Sequence, residues 1–313
     1  MTTDFCGKDV EYILSLSYGK DSLACLGAVE QLGLRIDRII HAEIWATDTI
    51  SADLPPMVEF KAKADKIIKE RYGITVEHVC AVNIDGVKGD KVTFNDGFYH
   101  KVNRGKFVGN IKGFPMQQGQ WCQKLKLSAI KTAEDIIYSK RKRGNRAGEI
   151  IGFPMIGACD LQTALKVEPI RKLQKNCISY IGIASDEPQR IKSDDKSKVY
   201  PLVLANWTEK MCREWCVKND LLSPIYSTSS RGGCWFCPNQ SVGQLRILRH
   251  NYPELWKLLL KWDSDSPVSF KADGRTVHDF DRRFSLEDMG ILQPNDSCFK
   301  WSCLDDDIQL KFL

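Results

Sequence analysis

The sequence lacks long runs of apolar residues, and no stretch of its 313 residues approaches the length of a membrane-spanning helix. The first residues, Met1 to Asp4, do not have the pattern of a signal peptide. The hydrophobic fraction of 43% and the charged fraction of 27% are typical of a soluble globular chain. We therefore expect a cytoplasmic protein with no membrane partner.

The sequence also has no large excess of positive or negative charge, since its formal net charge is only +5. This balance permits a nucleic-acid partner without arguing for one. The densest basic cluster is the segment Lys140 to Arg146. It is either a solvated loop or a contact for the phosphate backbone of DNA or RNA, and the second reading requires salt-sensitive binding.

Disulfide bonds are not expected, although the chain has 12 cysteines. In a reducing compartment such residues serve as buried apolar side chains, as metal ligands or as reactive thiols. Cys212 and Cys216 are four residues apart on a predicted helix and share one face of it. They resemble metal ligands in spacing, but we expect them to be buried.

A Walker A phosphate loop is absent, but another loop with related chemistry is present. The apolar run Tyr12 to Leu16 is followed by a polar hexapeptide and then by an apolar helical run, an order that predicts strand, tight turn and helix. Such a turn collects backbone N–H groups and a helix N-terminus at one point, where phosphate binds. The alternative is an ordinary turn between a strand and a helix. The six residues are Ser17, Tyr18, Gly19, Lys20, Asp21 and Ser22.

Predicted strands and helices alternate through much of the chain, which favours an α/β fold with right-handed crossovers and a doubly wound, mostly parallel sheet. The predicted helices of this part span 21–32 and 55–72, and the predicted strands span 39–45, 74–79 and 178–184. Residues 93–100 predict a hairpin around Asp96-Gly97, inside a loop-rich insertion over the active site. Thr208 is a predicted helix N-cap. Further helices are predicted over 244–249, 253–260 and 280–289.

The polar hexapeptide resembles the Ser-Gly-Gly-Lys-Asp-Ser loop of the PP-loop ATP pyrophosphatases. This superfamily includes the sulfonucleotide (PAPS and APS) reductases, ATP sulfurylase small subunits, tRNA-thiolating enzymes and the DNA phosphorothioation protein DndC. The resemblance implies the adenine nucleotide alpha hydrolase-like fold, with ATP phosphates on the loop and Lys20 and Asp21 as catalytic residues. Tyr18 stands where the family usually has its first glycine. We expect the loop to survive this change, because a side chain is accommodated there at a negative φ.

Other nucleotide contacts follow from the resemblance. Asp48 and Thr49 occupy the place of an Asp-Thr-Gly-like turn at the carboxyl end of the second strand, although a helix-capping turn is an equal alternative. A degenerate form of the family's Gly-x-Arg-x-x-Glu-Ser-x-x-Arg signature retains Gly182, Glu187 and Arg190. Ala184 replaces its first arginine, which holds the anionic end of the substrate in many sulfonucleotide reductases.

A cysteine-bearing knuckle is the strongest metal signal. Cys234 and Cys237 form a Cys-x-x-Cys-Pro element that follows two glycines, a geometry that aims two thiolates at one metal. Several relatives, including DndC-like proteins, bind a [4Fe–4S] cluster with such an element. We expect Cys122 and Cys159 to complete the set, with Cys177, Cys298 and Cys303 in reserve. Structural zinc and a metal-free turn are the alternatives.

The resemblance therefore implies a PAPS reductase-like enzyme that binds ATP with Mg²⁺, or an adenylyl sulfate, and cleaves at the α-phosphate to activate a substrate for sulfur transfer. Residues 1–238 are the predicted nucleotide-binding α/β domain with its cysteine-bearing insertion, and residues 239–313 are a helical C-terminal extension. One alternative is a true sulfonucleotide reductase, although the Glu-Cys-Gly-x-His ending of those enzymes is absent. Another is a non-catalytic nucleotide-binding subunit of a nucleic-acid modification or defence complex. A sulfur donor or partner subunit would complete the system.

Overall fold

The computed structural model describes residues 10–81, 91–101, 108–114, 139–140, 150–152, 165, 168–173, 177–191, 197–227, 233–271 and 274–294. Several predicted features lie outside the described residues: the proposed ligands Cys122 and Cys159, the reserve ligands Cys298 and Cys303, and all of the basic segment except Lys140. Within the described part of the chain, no helix combines the length and the apolar character needed to cross a membrane.

The described strands form two sheets. They are β1 (Glu11–Ser15), β2 (Arg38–Ala42), β3 (Val76–Val79), β4 (Ser139–Lys140), β5 (Ile150–Gly152), β6 (Cys177–Tyr180) and β7 (Lys198–Val199). Five of them make an all-parallel sheet in the order β3-β2-β1-β6-β7. Strands β2 and β3 lie on one side of β1, and β6 and β7 lie on its other side, so the strand order reverses at β1.

Helices account for about half of the remaining described structure. They are α1 (Lys20–Gln31), α2 (Pro55–Tyr72), α3 (Phe94–Tyr99), α4 (Glu168–Leu173), α5 (Pro201–Leu204), α6 (Glu209–Lys218), α7 (Val242–Asn251), α8 (Pro253–Asp265) and α9 (Val277–Asp288). With the parallel sheet they establish the predicted α/β class. The predicted range of α2 is confirmed at both ends, where Pro55 begins the helix and Gly73 closes it with φ +70°.

Helix α1 is buried on nearly all sides, which explains its apolar sequence. Its residues 22–29 are all buried, because one side covers the sheet and another packs on α6. A Cβ at Gly27 would lie 2.4 Å from the indole Nε1 of Trp215, so glycine is needed for this approach. Cys212 and Cys216 of α6 are fully buried in the same core, as predicted. This packing holds the beginning of α1 in place.

The chain divides into two compact units. The first comprises Met1–Val102 and Gly157–Trp235, and the second comprises Asn103–Ile156 and Phe236–Leu313. The division falls three residues before the predicted boundary at 238, and residues 103–156 belong with the C-terminal part of the chain. The second unit contains the antiparallel pair β4-β5 and helices α7 to α9, where the predicted C-terminal helices are found.

The predicted hairpin over residues 93–100 is wrong, because this segment contains helix α3. Thr93 accepts a hydrogen bond from the Asp96 backbone N–H at 3.2 Å, and Asp96 accepts one from the Thr93 N–H at 2.8 Å. This reciprocal capping box fixes a helix N-terminus. The Asp96-Gly97 dipeptide, typical of hairpin turns, therefore lies within the helix, while Phe94 and Phe98 are buried four residues apart.

Candidate functional site

A cavity of about 220 Å³ lies in the first unit, next to the loop between β1 and α1. The carboxyl ends of β1 and β2 and the first part of α2 contribute to its wall, together with two segments from the end of the unit. This is the position in which open parallel sheets bind ligands, beyond the carboxyl ends of strands where the strand order reverses. The lining residues are Ser17, Tyr18, Gly19, His41, Ala42, Ile44, Ala52, Asp53, Met57, Lys61, Ile225, Tyr226, Gly233 and Cys234.

The loop is closed by its own serines. The Ser22 hydroxyl donates to the Gly19 carbonyl at 2.9 Å and accepts from the Ser17 backbone N–H at 3.2 Å. The Ser17 hydroxyl lies 3.0 Å from the same oxygen. Gly19 is the N-cap of α1, so the unpaired N–H groups of the first turn begin at this loop. The Lys20 N–H is already used, because it donates to the Tyr226 hydroxyl at 2.9 Å.

Tyr18 departs from the expected backbone conformation. Its φ is +55°, in the left-handed region, so the expectation of a negative φ is wrong. The loop keeps the conformation that glycine adopts most readily, although a side chain is present. The tyrosine ring is fully buried, and its hydroxyl donates to Asp65 and lies 3.1 Å from His78 Nε2. These contacts offset the strain of the backbone.

Lys20 is not among the described residues that line the cavity. Its ammonium lies 2.8 Å from Asp21 and 2.9 Å from Glu209 of α6. Although partial burial opposes the charged form, these two hydrogen bonds raise the pKa of Lys20 above its ordinary value. Burial raises the pKa of Asp21, a shift that Lys20 opposes and that the charges of Glu209 and Glu187 strengthen.

The degenerate signature meets the loop at the beginning of α1. Carboxylate oxygens of Asp21, Glu187 and Glu209 lie within 4.8 Å of one another, a spacing that suits a divalent cation. A Cβ at Gly182 would lie 2.6 Å from the Asp21 carbonyl oxygen, so Gly182 permits close packing against the loop. Arg190 pairs with Glu187 at 2.5 Å on the surface. The fold thus brings all three signature residues to one place.

A buried polar cluster on the other side of the cavity was missed by the sequence analysis. The Lys61 ammonium lies 2.8 Å from His41 Nε2, 3.1 Å from Glu43 and 2.5 Å from Asp53. His41 Nδ1 lies 2.8 Å from the Leu16 carbonyl oxygen, which only accepts, so Nδ1 carries a proton and Nε2 accepts from Lys61. A signal was available, because Lys61 interrupts the apolar face of α2 and His41 interrupts an apolar strand.

The cluster continues to the surface through His78. Its Nδ1 lies 2.9 Å from Glu43 and its Nε2 lies 2.8 Å from Asp65. These two hydrogen bonds raise the pKa of His78 to about 9. Burial opposes ionisation of Glu43, but the hydrogen bond from His78 and the charge of Lys61 lower its pKa to about 2. Donor atoms of His41, Glu43 and His78 have the spacing of a metal site, but the Lys61 ammonium already supplies the positive charge there.

In the turn after β2, the acidic residue that lines the cavity is Asp53 and not the expected Asp48. Asp48 and Thr49 are exposed and do not belong to the cavity wall of the described residues. Asp53, four residues further than Thr49, lines the cavity and pairs with Lys61. Trp235 fixes this turn, because its backbone N–H donates to Ala52 at 3.0 Å and its indole N–H donates to Ser51 at 2.9 Å.

The cysteines of the knuckle are described only in part. Cys234 lines the cavity in the first unit, and Cys237 belongs to the second unit. Both cysteines are partly exposed. Among the described residues, the groups spaced for a metal ion contain no cysteine. Cys177 is buried at the beginning of β6.

Comparisons with known proteins do not identify a family. No protein-family model, no curated protein and no solved structure matches the chain. The functional assignment therefore depends on the loop, the cavity and the residues around them.

Proposed function

We propose that the chain is a PP-loop enzyme that binds ATP and cleaves it between the α- and β-phosphates, with a doubly wound sheet of the adenine nucleotide alpha hydrolase type. The observation that carries the proposal is the loop Ser17 to Ser22, which joins the carboxyl end of β1 to the N-terminus of α1 and borders the cavity. Backbone N–H groups of the loop and of the first turn of α1 are donors suited to phosphate oxygens.

In this proposal, different polar groups bind the phosphates and stabilise the developing charge. Ser17, Gly19 and the first turn of α1 hold the phosphates, and the Tyr226 hydroxyl, which accepts from Lys20 N–H, still has a hydrogen to donate. A substrate oxygen attacks the α-phosphorus, the bond from that phosphorus to the bridging oxygen breaks, and pyrophosphate leaves with the electron pair. Lys20 and the helix N-terminus stabilise the charge that develops on the phosphates.

A candidate site for a divalent cation lies beside the loop. The carboxylates of Asp21, Glu187 and Glu209 would hold Mg²⁺, an ion that prefers oxygen ligands and phosphate groups. Lys20 now lies between two of these carboxylates, and its ammonium would be released toward the phosphates when a cation neutralises them. Binding of the cation and release of the Lys20 ammonium would then occur in the same step of nucleotide binding.

The [4Fe–4S] cluster is a separate part of the proposal. The described residues supply two of the four expected thiols, Cys234 and Cys237, and Cys234 borders the cavity. Thiolates are the ligands that such clusters require. If the cluster binds there, it would accept or deliver sulfur close to the activated substrate. The proposed reaction at the α-phosphorus does not depend on it.

Nucleotide binding without turnover is a second candidate. The position of Lys20 favours it, since the ammonium is held by two carboxylates and does not line the cavity. In that case the chain would be the nucleotide-binding subunit of a larger complex that modifies nucleic acid or acts in defence.

The proposal is tested on anaerobically purified protein by measuring ATP affinity, pyrophosphate release, and iron and acid-labile sulfide on one sample. The matched variant is Gly19→Ala. A Cβ at this position would lie 3.5 Å from both the Ser17 and the Tyr226 hydroxyl oxygens, and the φ of −77° suits alanine. We expect the fold to be unchanged and ATP affinity to fall at least tenfold, because the methyl group would lie between the donors.

Three results would redirect the assignment. ATP binding by wild-type protein with no pyrophosphate release selects the non-catalytic subunit. Sulfite release from PAPS with a thiol donor selects a sulfonucleotide reductase. Equal ATP affinity of Gly19→Ala and wild-type protein, or no ATP binding by either, contradicts the loop as a phosphate site. Near four iron and four sulfide per chain, lost in Cys234→Ala, would support the cluster.

A further inference from the structure

The phosphate loop contains a conformational element that its sequence does not reveal. Tyr18 has φ +55°, whereas the flanking Gly19 has φ −77°. A left-handed residue inside a tight turn directs successive backbone N–H groups to one side, which forms an anion-binding concavity. Residues with a Cβ disfavour this region, so a tyrosine would leave it unless other contacts hold it there.

The contacts that hold Tyr18 come from two elements outside the loop. Its hydroxyl donates to Asp65 of α2 and lies 3.1 Å from Nε2 of His78 on β3. His78 Nε2 also lies 2.8 Å from the second carboxylate oxygen of Asp65, so the three groups close a triangle. Neither Asp65 nor His78 belongs to the cavity wall of the described residues.

The ring of Tyr18 is held as firmly as its hydroxyl. It is fully buried and stacks edge-on against His41 at 4.7 Å between ring centroids. The Lys61 ammonium lies 5.5 Å from the ring centroid, and Glu43 connects Lys61 to His78. The side chain therefore has one position in a network of charged and aromatic groups, which fixes the backbone to which it is attached.

We propose that Asp65 and His78 are positioning residues for the phosphate site: through the Tyr18 hydroxyl they hold the loop in the left-handed conformation that binds a diphosphate group. The inference rests on the proposed function and deepens it. A glycine would adopt the left-handed conformation without help, whereas Tyr18 is held in it by the contacts of its side chain. The site is then preformed in the absence of ligand, and no conformational cost is incurred on binding.

The test measures the affinities of wild-type protein and variants for inorganic pyrophosphate and for ATP, each with Mg²⁺. Tyr18→Phe keeps the ring and removes the anchor, and Asp65→Ala removes the acceptor from a partly exposed helix position. We expect both variants to bind both ligands about tenfold more weakly, the worth of one hydrogen bond to a charged group.

Tyr180→Phe is the matched control. Tyr180 is also buried in this unit, and its hydroxyl donates to the Arg35 carbonyl oxygen at 2.9 Å, away from the cavity. It should lower the midpoint of unfolding by an amount similar to that of Tyr18→Phe, with ligand affinities unchanged. Wild-type affinities in Tyr18→Phe, or an equal loss in Tyr180→Phe, would overturn the inference.

A second comparison separates backbone conformation from ring packing. Tyr18→Gly and Tyr18→Ala both remove the ring, but only glycine adopts a positive φ without penalty. We expect Tyr18→Gly to bind pyrophosphate roughly fivefold more tightly than Tyr18→Ala, the factor that the left-handed penalty gives. Equal affinities would assign Tyr18 a packing role alone. Failure of wild-type protein to bind either ligand would instead remove the proposed function itself.

Discussion

Single residues decide how closely the polypeptide approaches itself around the loop. Gly182 illustrates this, because an added Cβ would lie 2.6 Å from the Asp21 carbonyl oxygen and 2.7 Å from the Ser22 Cα. Both are backbone atoms, which cannot rotate away as a side chain would. The resemblance of the sequence to the PP-loop family predicts a nucleotide contact at Gly182, and the structure gives this residue a packing role beside the loop.

We therefore predict that Gly182→Ala destabilises the protein by about 1–3 kcal/mol, the cost of inserting a group into a packed interior. The free energy of unfolding in urea measures this change. Gly233→Ala is the control, since an added Cβ there meets no atom within 4 Å. It should change stability by less than about 0.5 kcal/mol, as surface substitutions do. A loss for Gly182→Ala no larger than for the control would show that the loop can shift.

At the scale of elements, local signals at the ends of helices proved decisive. Thr208 accepts a hydrogen bond from the Met211 N–H at 3.4 Å and caps α6, as predicted, which places Glu209 beside Lys20. The capping box of Thr93 and Asp96 has the same local origin. Its effect on the backbone outweighs the tendency of the Asp96-Gly97 dipeptide to form a hairpin turn.

For α3 we predict that Thr93→Ala lowers the free energy of unfolding by about 1 kcal/mol, the usual value of a helix N-cap. Thr93→Ser retains the hydroxyl and should recover most of this loss. Chemical denaturation of the two variants and the wild type provides the comparison. If serine and alanine were equally destabilising, the lost methyl contacts of the buried Thr93 would be the cause.

At the scale of the whole molecule, the polar cluster makes stability depend on pH. His78 has a pKa of about 9 in the folded protein and 6.5 as its ordinary value. Its stabilising contribution is thus complete below pH 6.5 and is lost as pH rises through 9. Glu43, with a pKa of about 2 against an ordinary 4.5, contributes above pH 4.5 and loses this contribution as pH falls through 2.

We accordingly predict that the thermal midpoint of wild-type protein falls between pH 6.5 and 9 by more than that of His78→Gln. The glutamine cannot titrate, so the difference between the two melting curves isolates this residue. His250, which is mostly exposed and lies in the second unit, offers a control in His250→Gln. Parallel curves for wild type and His78→Gln would contradict the assignment of the high pKa to His78.

Features that depend on neighbouring residues can be predicted from the sequence alone. The position of the loop between β1 and α1, the limits of α2, the α/β class and the cap of α6 all follow from periodicity, glycine, proline and capping side chains, whose effects extend over a few residues. These signals do not depend on the rest of the fold, so they can be interpreted before it is known.

Which polar groups come into contact depends on the tertiary fold. The left-handed conformation of Tyr18 depends on Asp65 and His78, which are 47 and 60 residues away along the chain. The acid that reaches the cavity is Asp53 because Lys61 and Trp235 hold its turn. Such contacts cross between elements, and their energy arises from burial and hydrogen bonding that no local pattern encodes.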